Sequence, residues 1–170
     1  METEFSPVDM RWMRHALSLA RRAEEAGEVP VGAVIVHGGQ AVGEAWNRTI
    51  GLHDPSAHAE ILALRQAGET LGNYRLPDSV LYVTLEPCCM CVGAIIHARL
   101  SRVVFAAPDP KTGAAGGRFE LLQHPAHNHR VLVTGGCLAE EAAVQLHVFF
   151  QSRRSSARSG QADPHDNKVD

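Results

Sequence analysis

Apolar positions near the start of the chain recur at the spacing of one helix face and then alternate as they do in strands. The helical pattern begins after Ser6-Pro7 and ends at Gly27, which predicts a first helix over residues 7–26. Its apolar positions are Met10, Met13, Leu17 and Ala20. A β-branched run over residues 31–37, a Gly-Gly turn and a second run over residues 41–47 then predict an antiparallel hairpin.

The remaining pattern alternates helices with strands. It predicts strands at residues 80–84, 102–106 and 130–134, and helices at residues 57–67, 88–99, 119–123 and 138–150. Such alternation is typical of an α/β layer fold, with a mainly parallel sheet after the opening hairpin. Because open α/β sheets bind ligands beyond the carboxyl ends of their strands, the loops that follow the strands are the expected place for chemistry.

Three cysteines lie within four positions directly after a proline. Proline suits the first position of a helix, so Pro87 predicts a helix that begins at the cysteines. Cys88 and Cys91 then lie three residues apart on one face of that helix. Ser56 is a good N-cap for the preceding helix, which places His58 in its first turn. The sequence therefore predicts that His58, Cys88 and Cys91 meet as three ligands of a zinc ion.

A zinc ion with three protein ligands keeps one tetrahedral position for water, as catalytic sites do. Such a water loses a proton near neutral pH, and Glu60 is placed to exchange that proton rather than to bind the metal. Two other interpretations remain open. One is a closed structural site with Cys89 or Cys137 as fourth ligand, and the other is a redox pair at a helix start. Neither gives Glu60 a role.

Composition limits the class of protein. The 170 residues, 45% hydrophobic and 21% charged, suit one globular domain over residues 1–151, and the Ser- and Arg-rich residues 152–170 predict a flexible tail. A net charge of −3 argues against a protein that coats nucleic acid by bulk charge, so any RNA site must be local. The cysteine pattern and the lack of a long apolar run predict a cytoplasmic protein that binds no membrane.

The site residues also resemble a known signature. His-x-Glu at residues 58–60 followed by Pro-Cys-x-x-Cys at residues 87–91 is similar to the signature of the zinc nucleobase deaminases. Over residues 5–154 the chain resembles the bacterial tRNA-specific adenosine deaminases, and the Asp-Pro-Lys-Thr-Gly-Ala-Ala-Gly loop at residues 109–116 points to that family in particular. The other matching segments are residues 13–17, 28–34, 46–48, 53–60 and 82–88, together with Cys91.

The resemblance implies a three-layer α/β/α cytidine deaminase-like fold, with a five-stranded mixed sheet and an N-terminal antiparallel hairpin. It implies one Zn²⁺ per subunit and hydrolytic conversion of the wobble adenosine in the tRNA anticodon loop to inosine. Zinc-bound hydroxide would attack C6 of the adenine while Glu60 shuttles the proton. The substrate-binding residues that it implies are Val29, Pro30, Asn47, Ala59 and Asp109.

RNA contact is expected from Lys111 and from the Arg153–Arg154 pair, although a helix C-terminus also favours arginine. The resemblance implies a homodimer in which both subunits build the tRNA site. Gly117 departs from the family, which commonly has Ser there. The nearest alternative function is a free nucleobase or nucleotide deaminase acting on guanine, cytosine or a cytidine nucleotide. An alternative of another class is a non-catalytic structural-zinc or redox protein.

Overall fold

A computed structural model describes residues 4–160, which contain four helices and five strands. In chain order they are α1 (Pro7–Glu25), β1 (Gly32–His37), β2 (Gln40–Trp46), α2 (Ala59–Leu71), β3 (Ser79–Leu85), α3 (Cys89–His97), β4 (Arg102–Ala107), β5 (Leu132–Gly135) and α4 (Ala139–Arg158). The strands form one sheet in the order β2-β1-β3-β4-β5. β1 runs antiparallel to β2 and β3, whereas β3, β4 and β5 are parallel. The predicted five-stranded mixed sheet with an N-terminal antiparallel hairpin is confirmed.

Side chains along the strands alternate between the two faces of the sheet, and each face packs against its own pair of helices. The face that packs against α2 and α3 carries Ala33, Ile35, Leu81, Val83, Val103 and Phe105. The face that packs against α1 and α4 carries Val34, Val36, Tyr82, Val104 and Ala106. Two helices on each face of one sheet make the three-layer α/β/α fold that the sequence predicted.

Two glycines allow the helices to approach the sheet closely. A Cβ atom at Gly32 would lie 2.0 Å from the carbonyl oxygen of Ala16 in α1. A Cβ atom at Gly43 would lie 2.2 Å from the carbonyl oxygen of Ala63 in α2. Since only a residue without a Cβ permits these contacts, both positions fix how far each helix stands from the hairpin.

Asp9 joins α1 to the central strands. The Ser6 hydroxyl accepts the amide hydrogen of Asp9 at 3.1 Å, which confirms the predicted helix start. The buried Asp9 carboxylate accepts hydrogen bonds from the Tyr82 hydroxyl at 2.9 Å and from the Arg102 guanidinium at 2.8 and 3.1 Å. Burial alone would raise the pKa of Asp9, but the hydrogen bonds from Arg102 and Tyr82 hold it below its usual value.

The predicted start of the second helix was wrong. α2 begins at Ala59 with His58 as its N-cap residue, so His58 is not in the first turn. Ser56 does not cap this helix, because its amide and hydroxyl donate to Asp54 at 2.8 and 2.7 Å within the preceding turn. The Ala59 amide donates instead to the side-chain oxygen of Asn47 at 2.8 Å. A distant residue therefore replaces the predicted local cap.

Pro87 precedes the cysteine helix instead of opening it. Cys88 is the N-cap residue and the first helical residue is Cys89. The predicted short helix at residues 119–123 was also wrong, since these residues form turns and a single bridge. The amides of Leu121 and Leu122 both donate to the carbonyl oxygen of Ala114, which holds this stretch as an irregular loop.

The last helix is longer than predicted and continues to Arg158. The hydroxyls of Ser155 and Ser156 donate to carbonyl oxygens four residues earlier, which satisfies them within the helix. Apart from the half-buried Arg153, residues 152–158 are exposed, so this extension buries no apolar face. The first seven residues of the predicted tail are therefore helical, and residues 161–170 of that tail lie outside the described residues. Within residues 4–160, no helix has the length and apolar character needed to cross a membrane.

Candidate metal centre and active-site cleft

His58, Cys88 and Cys91 meet where α2 and α3 begin. His58 and Cys88 are the N-cap residues of these helices, each with an extended backbone, and Cys91 lies in the first turn of α3. The Nδ1 atom of His58 lies 3.6 Å from the Sγ atom of Cys88 and 3.6 Å from the Sγ atom of Cys91. All three donor atoms lie within 4.8 Å of one another, so the three predicted ligands come together.

The donor set fits a tetrahedral zinc ion. Zn–S bonds of about 2.3 Å and Zn–N bonds of about 2.0–2.1 Å place sulfur and nitrogen about 3.6 Å apart at a tetrahedral angle. Both observed nitrogen–sulfur distances are 3.6 Å. Hydrogen bonds with Cys91 and then with His58 lower the pKa of the Cys88 thiol to about 4. Cys88 therefore favours the thiolate form in which cysteine binds zinc, whereas its hydrogen bond with Cys88 and its burial raise the pKa of the Cys91 thiol.

No fourth His, Cys, Asp or Glu completes the cluster within the part of the chain that the structure describes. Cys137 is buried on the opposite face of the sheet, in the same core as Met13. Cys89 is exposed and is not one of the clustered residues. The closed structural site considered from the sequence therefore does not form, and three donors leave one tetrahedral position for water.

Glu60 lies beside the metal donors without being one of them. It is in the first turn of α2, is only 4% exposed, and its carboxyl contacts the Cys91 thiol. Burial raises the pKa of Glu60 to about 7. A carboxyl group with this pKa can accept and release a proton near neutrality, which a proton shuttle requires.

A cleft of about 650 Å³ opens over His58, Cys88 and Glu60. Its apolar lining is formed by Val29, Val31, Leu85, Leu146 and Phe150. Its polar lining includes Asn47, Thr49, Asp109, Lys111 and Thr112. This size and this mixture of apolar walls with a few polar groups are typical of small-ligand sites. A larger groove of about 870 Å³ lies between α1 and α4 and contains none of the metal donors.

The predicted substrate residues divide into two groups. Val29, Asn47 and Asp109 line the cleft. Pro30 and Ala59 are buried and do not line it, and the backbone amide of Ala59 is already bound by Asn47. Three of the five predicted substrate residues therefore line the cleft.

The predicted RNA-binding residues have different surroundings. Lys111 is exposed at the cleft. Arg153 is half-buried, donates a hydrogen bond to the carbonyl oxygen of Gly27 and lies 5.0 Å above the ring of Phe149. Arg154 is exposed. Arg153 therefore ties α4 to the end of α1, whereas Lys111 and Arg154 are accessible to a ligand.

Sequence reasoning assigned no role to two buried acids, Glu28 and Glu86, which are only 2% and 3% exposed. Glu28 accepts hydrogen bonds from the amides of Ile50 and Gly51 at 3.2 and 2.7 Å and from the Thr49 hydroxyl at 3.3 Å. It thereby fixes the loop between Asn47 and His58, while Glu86 fixes the loop after β4. Both acids lie in segments that match the family, residues 28–34 and 82–88, but no local pattern shows that their side chains hold distant loops.

The fold and the three-donor site define a zinc-dependent deaminase. The chain belongs to the family of the cytidine and deoxycytidylate deaminase zinc-binding region, whose profile matches residues 6–107. Zinc is the cofactor of this family, and His58, Cys88 and Cys91 would hold it here.

Comparison with individual proteins is more specific. The tRNA-specific adenosine deaminase of Haemophilus influenzae is 52% identical over 154 residues, which cover 90% of this chain and 89% of the relative. A structure solved in work on A-to-I editing by tRNA:A34 deaminases at the wobble position of transfer RNA has a TM-score of 0.77 at 45% identity, covering 80% of this chain and 99% of that one. A guanine deaminase from Nitrosomonas europaea has a TM-score of 0.73 at 27% identity, covering 87% and 86%.

Proposed function

We propose that this protein converts the wobble adenosine of a tRNA anticodon loop to inosine. The observation that carries the proposal is the arrangement of three metal donors and buried Glu60 at a cleft large enough for a nucleoside. The 52% identity with a tRNA-specific adenosine deaminase, over nine-tenths of both chains, supports this substrate.

The reaction adds water at C6 of adenine and releases ammonia. A zinc ion on the three donors would lower the pKa of the attacking water toward neutrality. Glu60 would accept one proton from the attacking water and deliver it to N1 of the adenine, and would then take the second proton from the new C6 hydroxyl and pass it to the departing amino group. Because burial raises the pKa of Glu60 to about 7, its carboxyl group can both accept a proton and release it near neutral pH.

The cleft walls suggest how the nucleotide is held. Val29 and Phe150 would contact the faces of the flipped base, while Asn47 and Asp109 would meet the ribose. Because the anticodon loop is single-stranded, extruding one base from it costs little compared with a duplex. Lys111 would contact a phosphate at the cleft rim, which suits an RNA site that is local rather than spread over the surface.

The same proposal includes the protein's assembly and location. We expect a homodimer whose two subunits share the tRNA site, and we expect it in the cytoplasm with its tRNA substrate. A solution mass of twice 18.4 kDa would support the dimer.

The test uses purified zinc-loaded protein and an anticodon stem-loop with adenosine at the wobble position. We expect inosine at that position, together with an equal amount of released ammonia, and no product from a stem-loop with adenosine moved one position away. Glu60→Gln should keep its zinc and fold while kcat falls by about 10²- to 10⁴-fold. Unchanged RNA in the wild-type reaction would overturn the proposal.

A second candidate function is deamination of a free base, because the fold also matches a guanine deaminase with 27% identity. Free guanine, cytosine and cytidine nucleotides offered under the same conditions separate the two functions. Ammonia release from a free base, with none from the stem-loop, would favour this alternative.

A further inference from the structure

Glu86 connects the metal centre to the loop at residues 108–117, which we call the substrate loop. Glu86 follows the last residue of β3 and precedes Cys88 by two positions, and the substrate loop follows β4. Because β3 and β4 are parallel neighbours, their carboxyl ends reach the same edge of the sheet. Glu86 and the substrate loop are therefore brought together by the topology.

The Glu86 carboxylate is buried and binds three backbone amides, all from the substrate loop. Its Oε2 atom accepts from the Asp109 amide at 2.8 Å, and its Oε1 atom accepts from the amides of Ala115 and Gly117 at 2.9 and 2.7 Å. A carboxylate has about four acceptor positions, and charge-assisted hydrogen bonds of this kind are stronger than neutral ones. One side chain thus holds both the beginning and the end of the substrate loop.

Glycines allow the substrate loop to wrap around this carboxylate. A Cβ atom at Gly113 would lie 2.4 Å from Cδ of Glu86 and 2.5 Å from the carbonyl oxygen of Asp109. Gly117, the residue that departs from the family, is packed in the same way, since a Cβ there would lie 2.4 Å from Oε2 of Glu86. The Ala114 amide also donates to the carbonyl oxygen of Pro87 at 2.8 Å, so the loop is attached directly to the segment before Cys88.

Glu86 holds both ends of the substrate loop, and the first half of that loop, residues 108–112, lines the cleft. Asp109 is one such residue, and its carboxylate in turn accepts the amides of Lys111 and Thr112 at 2.9 and 3.2 Å. We propose that Glu86 is a positioning residue that sets the substrate loop relative to the metal centre and thereby determines how tightly the RNA substrate binds. This inference rests on the proposed function for the identity of the substrate.

Glu86→Gln in the zinc-loaded protein is the principal test, because an amide cannot accept three N–H groups at the same positions. We expect one zinc per chain, a KM for the stem-loop raised on the order of 10- to 100-fold, and kcat within about threefold of the wild type. Gly113→Ala leaves Glu86 in the sequence but places a Cβ atom against its carboxylate, so it should raise KM similarly. The control is Glu120→Gln, which neutralises an exposed carboxylate that accepts the Gln123 amide and does not contact Glu86, and it should leave KM unchanged.

Amide hydrogen exchange tests the same inference without turnover. Peptides from the substrate loop should exchange faster in Glu86→Gln than in the wild type, whereas peptides from α1 should not change. Unchanged exchange in the substrate loop, an unchanged KM, or loss of zinc from Glu86→Gln would each overturn the positioning role. Should the wild type fail to deaminate the stem-loop, the proposed function falls, while the exchange comparison still decides whether Glu86 holds the loop.

Discussion

The side-chain oxygen of Asn47 accepts the amide hydrogen of Ala59 at 2.8 Å. Ala59 is the first residue of α2, and the side chain of the N-cap residue His58 makes no hydrogen bond to the amides of the first turn. Asn47 therefore satisfies one of the amides that the helix start leaves without a partner. Asn47 also lines the cleft. One residue therefore stabilises the helix that carries Glu60 and faces the position expected for the substrate.

Two substitutions separate these roles of Asn47. Asn47→Ala removes the cap and should lower the free energy of unfolding by about 1 kcal/mol. Asn47→Asp keeps an acceptor oxygen at the helix N-terminus, where negative charge is favourable, so its unfolding free energy should stay within about 0.5 kcal/mol of the wild type.

Since Asn47→Asp should keep the stability of the wild type, a change in its activity would report on substrate contact alone. Because Asp lacks the amide donor, we expect kcat/KM of Asn47→Asp to fall by about tenfold or more while the denaturation midpoint is kept. Wild-type kcat/KM in this variant would show that Asn47 is a cap and makes no contact through its amide nitrogen.

The metal site predicts opposite results for two nearby cysteines. Cys91→Ala removes a buried donor, so zinc per chain should fall to near zero and activity by about 10³-fold or more. Cys89→Ala changes an exposed thiol outside the cluster and should keep full zinc with activity within about twofold of the wild type. Zinc analysis and the stem-loop assay measure both. Loss of zinc from Cys89→Ala would restore the closed-site interpretation.

The Asp9–Arg102 pair predicts a pH dependence of stability. The pKa of Asp9 is lower in the folded protein than its usual 3.8, so the folded state prefers the charged form. Its contribution is therefore fully present above about pH 5 and is lost as the pH falls through the folded-state pKa. Asp9→Asn should lower the free energy of unfolding at pH 7 by about 2–3 kcal/mol, because the buried Tyr82 hydroxyl and the half-buried Arg102 guanidinium lose a charged acceptor.

Urea denaturation of the wild type and Asp9→Asn between pH 7 and pH 3 measures this dependence. The difference between the two proteins should be constant from pH 7 to about pH 5 and should shrink below about pH 4. A difference that stays constant down to pH 3 would show that Asp9 does not titrate with a lowered pKa.

Local patterns in the sequence were sufficient for the sheet and the metal donors. Runs of β-branched residues identified the strands of the hairpin, and two short motifs, at residues 58–60 and 87–91, identified the metal donors, because each motif spans only a few residues. The family resemblance supplied the order of the layers and the residues lining the cleft. What those residues contact required the structure.

Contacts between distant residues account for most of the differences. Asn47 caps Ala59 from 12 residues away, and Glu86 binds amides 23 to 31 residues further along the chain. No periodicity encodes such pairs. The extension of α4 was missed for another reason, since Ser and Arg residues can continue an existing helix without forming an apolar stripe.

Arg153 and Arg154 are adjacent in the sequence but should respond differently to substitution. Arg153→Ala removes a hydrogen bond to the Gly27 carbonyl and the contact with the Phe149 ring, and should lower the free energy of unfolding by about 1–2 kcal/mol.

Arg154→Ala should change stability by less than about 0.5 kcal/mol because Arg154 is exposed. If Arg154 contacts a phosphate, its removal should reduce the slope of log affinity against log salt by about 0.7 for the stem-loop. Thermal unfolding and stem-loop binding across a salt series measure both effects, and an unchanged salt slope for Arg154→Ala would remove it from the RNA site.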